Sequence, residues 1–271
     1  MPGHPIEHLR YVARATGGDP SDLVQDAAGA LAAVVQVEPA GLVPACRRLV
    51  ERHLTVGPVW WLAARALTAA DPAAGALAAG SEMEHDSTGR ALGRALPDDA
   101  TVVVVGWPDI AGAALRRRGD AEVLVVDASG EGSMLARRLD QSGTAVAVVP
   151  DGGVAAAVVV CDLVLVEATA AGPSGVLATN GSHSAAAVAA LRDIPVWAVA
   201  GVGRVLPPRL WDALLARLDR QSVEPWDRTV ELVPASLLTA VCGPSGLLAP
   251  EEGLAQATCP VAPELLRAAR G

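Results

Sequence analysis

Between residues 100 and 200, five short valine-rich runs alternate with helical stretches, and no other feature of the chain limits its fold so tightly. The runs are 101–105, 122–126, 144–149, 162–166 and 194–199; residues 110–117, 133–140, 153–158 and 182–191 between them carry helical signals. The runs are apolar throughout instead of alternating, which marks strands covered on both faces. Strand–helix–strand order then predicts a parallel sheet, with right-handed crossovers that bring every strand's carboxyl end to one edge. Ligands of such sheets sit outside those ends.

The first 95 residues lack this alternation and show helical periodicity instead. Residues 22–35 follow a Pro-Ser-Asp start with Ser21 or Asp22 as N-cap, and 42–54 place Leu42, Val43, Cys46, Leu49, Val50 and His53 at helical spacing. Residues 58–67 hold the Trp60-Trp61 pair, 73–79 and 87–96 give two shorter helices, and 80–87 form a polar bridge. The expected fold class is α/β: a Rossmann-like parallel-sheet domain (96–271) preceded by a small helical N-terminal domain (1–95). Beyond Trp211 the pattern predicts a helix at 212–218, strands or loops at 229–233 and 237–241, and a last helix near 262–270.

Composition removes several function classes. All 21 basic residues are arginine, so no Schiff base, P-loop lysine or lysine base is available. A net charge of −9 argues against a nucleic-acid surface. The basic run Arg116-Arg117-Arg118 falls at a helix end, where cations complement the dipole. Cys46, Cys161, Cys242 and Cys259 are far apart with no C-x-x-C pair, so no metal site, cofactor or disulfide framework is expected. Residues 1–10 are mixed and polar, unlike a secretory signal, and the apolar runs are too short to span a bilayer. A cytoplasmic protein without membrane or nucleic-acid partners is the expectation.

The strand exits supply the candidate site. The first ends in Gly106-Trp107-Pro108-Asp109 and the second in Asp127, followed by the loop Gly130-Glu131-Gly132-Ser133. The third ends in Pro150-Asp151, the fourth in Glu167-Ala168-Thr169 and the fifth in Gly201-Val202-Gly203-Arg204. The sharpest feature is Thr179-Asn180-Gly181-Ser182-His183-Ser184 before an alanine-rich helix. Small residues there let main-chain N–H groups approach an anion, and the helix start adds about half a positive charge. The same residues also suit an ordinary N-cap turn. His183 is either a ligand contact and general acid or structural, and Trp107 either stacks on a ring or plugs the core. Cys161 reads as a small core residue.

These segments resemble a known family. The stretch CDLVLVEATAAGPSGVLATNGSHSAAAVAALRDIPVWAVAG is similar to the C-terminal domain of the translation initiation factor 2B alpha/beta/delta family, which includes methylthioribose-1-phosphate and ribose-1,5-bisphosphate isomerases. ATVVVVGWPDIAGAAL, VLVVDASGEGSMLARRL and VELVPASLLTAVCGPSGLLAP continue the likeness over about residues 100–250. The resemblance implies a Rossmann-like domain behind helices, pairing into a homodimer, and a phosphosugar or nucleotide at the strand edge. The strand exits make Gly106, Trp107, Asp127, Gly132, Ser133, Glu167, Thr169, Asn180, Gly181, Ser182 and His183 the expected ligand contacts, and the resemblance implies Gly181-Ser182 as the phosphate-binding pair.

Departures from the family pattern bear on the reaction. The isomerases' catalytic cysteine falls on Gly106, their catalytic aspartate on Thr169, and their Asn-Lys pair on Ala178-Thr179. Each lost acid or base is worth about 10²–10⁴-fold. Three readings follow. One is a non-catalytic binder of a phosphorylated sugar or nucleotide. A second is an aldose–ketose isomerase with the chemistry moved to Glu167, His183 or Asp109. The third is an interaction protein with a vestigial pocket.

Overall fold

Helices α1 (Pro20–Val37), α2 (Leu42–Arg52), α3 (Gly57–Thr68) and α4 (Pro72–Glu84) come first in a computed structural model that describes residues 20–267. The alternating region follows as α5 (Thr88–Ala95), β1 (Thr101–Val105), α6 (Asp109–Arg118), β2 (Glu122–Val126), α7 (Gly132–Asp140), β3 (Ala145–Val149), α8 (Val154–Val159) and β4 (Leu163–Glu167). Then come β5 (Ala170–Gly172), β6 (Gly175–Thr179), α9 (Ser182–Leu191), β7 (Val196–Val199) and α10 (Pro208–Leu218). The last elements are β8 (Val230–Pro234), β9 (Ala240–Gly243), β10 (Gly246–Leu248) and α11 (Pro250–Ala255).

All five valine-rich runs are strands of one seven-stranded sheet, in the order β10-β9-β7-β4-β1-β2-β3. The ladders from β9 to β3 are parallel, and β10 alone is antiparallel. From β1 the chain steps outward through β2 to β3, then returns to lay β4 on the other side of β1. The gap between the ends of β1 and β4 is therefore the switch point, where a doubly wound sheet has its crevice. Val102, Val104, Val123, Val125, Leu163 and Leu165 pack with Leu115, Leu135 and Leu139 into a core of aliphatic side chains, as a chain without Phe requires.

The chain divides into two compact units, Met1–Asp86 with Val202–Gln221 and Ala257–Gly271, and Ser87–Gly201 with Ser222–Gln256. The sequence pattern predicts one boundary, after residue 95. Helix α5 instead belongs with the sheet, because Leu92 and Leu96 bury in the core around β1. Segments 202–221 and 257–267 belong with the first helices, and the reason is again burial. Trp211 lies with Trp60 and Trp61 among the largest buried side chains. Arg217 stacks over Trp60 at 4.8 Å and donates to the Leu265 carbonyl, and Arg47 Nε donates to the Glu264 carbonyl at 2.8 Å. Gly203 presses on Trp61 so closely that a Cβ would sit 2.9 Å from its ring.

Several local expectations shift. Helix α1 starts at Pro20, ahead of both Ser21 and Asp22. The final helix shrinks to a 3₁₀ turn at Pro263–Leu266, and residues 268–270 lie outside the described ones, as does the polar segment 1–10. The segment between β4 and α9 is a hairpin, β5–β6, which with β8 makes a second, antiparallel sheet of three strands. Cys46, Cys161, Cys242 and Cys259 are all buried and outside any disulfide, and burial pushes Cys46 and Cys259 up to about 12.

The second sheet depends on Gly175. Its φ is +147°, and a Cβ there would stand 2.1 Å from the Val233 carbonyl oxygen of β8. Gly175→Ala should therefore cost about 3 kcal/mol, combining backbone strain with a clash. Urea unfolding followed by far-ultraviolet circular dichroism measures it, and a loss under about 1 kcal/mol would contradict this packing.

Candidate functional site

At the carboxyl edge of the sheet, the starts of α6, α7 and α9 are each held by a carboxylate of the chain itself. At the switch point, Glu167 at the end of β4 reaches across to α6. Its Oε1 accepts the Asp109 N–H at 3.1 Å and its Oε2 the Ala111 N–H at 2.8 Å. Such a bond satisfies helix-start donors that have no partner within the helix, and the negative charge complements the dipole. Glu167 bridges the crevice in this way. Both of its carboxylate oxygens accept main-chain amides of α6.

Asp127 does the same for α7. Its Oδ1 accepts the Gly132 N–H at 2.8 Å and the Ser133 N–H at 3.4 Å, and its Oδ2 accepts the Ser133 hydroxyl at 2.7 Å. The Ser133 hydroxyl first, and then the two amides, hold this carboxyl below its ordinary range, against the opposing effect of desolvation. Gly132 is required here, since a Cβ would fall 2.8 Å from the Asp127 Cα. The expected contacts Asp127, Gly132 and Ser133 are thus together, bonded to one another.

The third helix start is the one the sequence singled out. Gly181 takes φ +96°, a left-handed conformation natural to glycine, and delivers the chain into α9. The amides of Gly181 and His183 converge on one point, and that point holds Glu231 Oε1, at 2.6 Å and 2.9 Å. Antiparallel pairing puts Glu231 there by matching Ala178 of β6 with Glu231 of β8. The Asn180 N–H donates to the Thr229 carbonyl at 3.0 Å, and Asn180 Oδ1 also accepts the Gly181 N–H at 3.1 Å. Ser182 is buried, and the Ser184 hydroxyl donates back to the Gly181 carbonyl at 3.0 Å. The amides expected to receive a phosphate already receive a carboxylate.

The other candidates fall around these. Gly106, at φ +67°, faces Thr179, whose Cγ2 would lie 3.0 Å from a Cβ, so a side chain here would crowd Thr179 and strain the left-handed turn. Trp107 is half-buried against the sheet core; its Nε1–H donates to Asp109 Oδ1 at 2.7 Å and Arg138 lies over the ring at 6.0 Å. Asp109 thus orients an indole. The Thr169 hydroxyl donates to the Leu177 carbonyl at 3.2 Å, inside the hairpin. His183 is half-buried, and among the described residues no hydrogen bond or ion pair reaches its imidazole. No described group of His, Cys, Asp and Glu is arranged to hold a metal.

Sequence reasoning missed Glu231, Asp151 as a neighbour of the turn, and Arg138. Asp151 Oδ1 would lie 3.9 Å from a Cβ at Gly181, close to Glu231's seat. The available signal was Glu231's place as the single charge in the strand segment VELVP. What stayed hidden was its partner, some fifty residues earlier in the chain.

Comparison with solved structures shows that the fold is a known one. Initiation factor eIF-2B of Pyrococcus horikoshii OT3 superposes with a TM-score of 0.75 at 15% identity, over 94% of this chain and 100% of that one. A chain of the tetrameric eIF2B-beta2-delta2 complex of C. thermophilum gives 0.69 at 16% identity, over 92% and 91%. The 5-methylthioribose 1-phosphate isomerase of Pyrococcus horikoshii OT3 gives 0.64 at 15%, over 92% and 86%. No family model and no curated protein matches the sequence. Among the described residues no helix is long and apolar enough to cross a membrane.

Asp127 gives a pH test of the site. Its folded pKa is depressed, so its stabilisation is present above the unfolded value and is lost as pH falls through the folded one. Unfolding free energy measured from about pH 6 down to about pH 2 should fall less steeply in Ser133→Ala, which lacks the leading cause of the depression. Identical slopes for the two proteins would remove Ser133 as that cause. The chain has the fold shared by initiation factor 2B subunits and methylthioribose-1-phosphate isomerase.

Proposed function

We infer that this is an initiation-factor-2B-like protein without isomerase chemistry. Its strand-edge site admits a phosphorylated sugar or nucleotide only when Glu231 leaves the start of α9. The observation that carries this reading is the single carboxylate oxygen shared by the Gly181 and His183 amides. A phosphoryl oxygen would need the same donors. With Glu231 in place, an incoming phosphate meets a fixed like charge, worth about 4 kcal/mol per unit-charge pair at 4 Å in a medium of effective dielectric 20. Asp151 beside Gly181 adds to the repulsion.

The same geometry speaks against proton transfer. Aldose–ketose isomerisation needs an acid and a base that reach the substrate carbons and oxygens. Gly106 offers neither, and the Thr169 hydroxyl is engaged with a carbonyl. Glu167 spends both oxygens on the α6 amides. Relocation to these residues would have to dismantle a helix cap. The similarity to a chain of a tetrameric complex supports pairing of this chain with a second copy. A cytoplasmic location belongs to the same reading.

Calorimetric titration of wild type and Glu231→Ala with methylthioribose-1-phosphate, ribose-1,5-bisphosphate, AMP and inorganic phosphate tests the site. Wild type should bind weakly, and Glu231→Ala should bind at least one of the organic phosphates about tenfold more tightly, a gain of about 1.4 kcal/mol. Neither protein should turn over the two sugar phosphates. No binding by either protein removes the phosphate reading, equal tight binding removes Glu231 as the obstacle, and turnover by wild type removes the non-catalytic assignment.

A further inference from the structure

Five of the six tryptophans are inside the protein: Trp60, Trp61 and Trp211 are buried, and Trp107 and Trp197 are half-buried. Trp226 is 73% exposed. Among the described residues no hydrogen bond reaches its Nε1 and no cation lies over its ring. A single exposed apolar side chain is ordinary on a protein surface. What distinguishes Trp226 is its place in the fold.

Trp226 stands in a short 3₁₀ turn, Pro225–Asp227, just ahead of β8. The turn is stiff, because Pro225 has a fixed φ and the Asp227 N–H donates to the Glu224 carbonyl at 3.0 Å. Three residues after Trp226, the Thr229 carbonyl accepts the Asn180 N–H at 3.0 Å, and the next residue, Val230, pairs with Thr179. Three residues of chain span at most about 11 Å. The indole is therefore tethered beside the turn Asn180-Gly181-Ser182, on the segment that leads to Glu231.

Ser182 independently marks this turn as a place for a ligand. It opens α9 and is only 3% exposed, and among the described residues no hydrogen bond reaches its hydroxyl. A helical Cα–Cβ bond tilts toward the helix start, which brings this hydroxyl to the same mouth as the Gly181 and His183 amides. A buried hydroxyl without a partner costs free energy that a ligand acceptor offsets. One end of the site thus suits phosphoryl oxygens once Glu231 has left, and a flat aromatic face lies within reach of it. A sugar phosphate uses only the first feature. A nucleoside monophosphate uses both, with its phosphate on the turn, its base on the indole and its ribose spanning the two. Every base has a π-face, so the platform favours a base without choosing which one.

We propose that Trp226 is the base-stacking residue of this site and that the ligand is a nucleoside monophosphate, not a sugar phosphate. The assignment rests on the phosphate reading under Proposed function. AMP and ribose 5-phosphate test it, since they differ only by the adenine. Both are titrated calorimetrically into the full chain carrying Glu231→Ala, with and without Trp226→Ala. The exposed, unbonded Trp226 can be replaced without changing the circular dichroism spectrum. Glu231→Ala should bind AMP at least about tenfold more tightly than ribose 5-phosphate. Adding Trp226→Ala should abolish that advantage and leave ribose 5-phosphate binding unchanged, whereas adding Trp226→Phe should keep most of it. AMP should also quench indole emission in Glu231→Ala, and not once Trp226 is removed. Equal affinity for the two ligands while Trp226 is present, or an equal loss for both when it is removed, overturns the stacking role and leaves the phosphate reading standing. Failure of both ligands to bind Glu231→Ala overturns the two together.

Discussion

A carboxylate seated on a helix start is the interaction around which this sheet edge is built. A parallel sheet gathers the N-termini of its crossover helices at one edge, and each brings about half a positive charge and unbonded amides. A ligand anion is one way to satisfy them. This chain uses its own side chains: Glu167 on α6, Asp127 on α7 and Glu231 on α9. At these three helix starts, where negative charge would be welcome, a carboxylate is thereby in place before any ligand arrives. What remains is a surface with Asp109 and Asp151 added on the acidic side, and Arg138 over Trp107 on the basic side.

The three caps are not equivalent in origin. Asp127 is local, five or six residues from the amides it binds, and follows from its own strand exit. Glu167 and Glu231 are long-range and depend on the sheets. Glu167 reaches α6 because β4 lies beside β1 in the register Val103↔Val164. Glu231 reaches α9 because β8 runs antiparallel to β6, a pairing that Gly175 makes possible by letting the β8 backbone come close. The state of the site is thus linked to the integrity of the three-stranded sheet.

Much of the architecture was legible in the sequence. Valine runs of the length of 101–105 and 122–126, separated by helical stretches, have few alternatives to a buried parallel sheet, and those two strands begin and end where the pattern sets them. The turn at Gly181 was equally plain, because a glycine before Ser-His-Ser and an alanine-rich helix has an identifiable local conformation. Its occupant was not, since nothing local to Gly181 reveals which strand will lie beside Ala178. The hairpin of β5 and β6 is hidden for another reason, being too short and too rich in Gly and Ala to show a period. The helical unit hid its later segments because Trp211 and Arg217 join Trp60 only in three dimensions.

The Glu231 contact can be observed directly in the amide proton shifts of Gly181 and His183. An N–H bonded to a carboxylate resonates downfield, so both signals should move upfield together in Glu231→Ala, while the amides of Gly132 and Ser133, capped by Asp127, stay in place. If the Gly181 and His183 signals were unchanged by that substitution, Glu231 would not be the group that closes the start of α9.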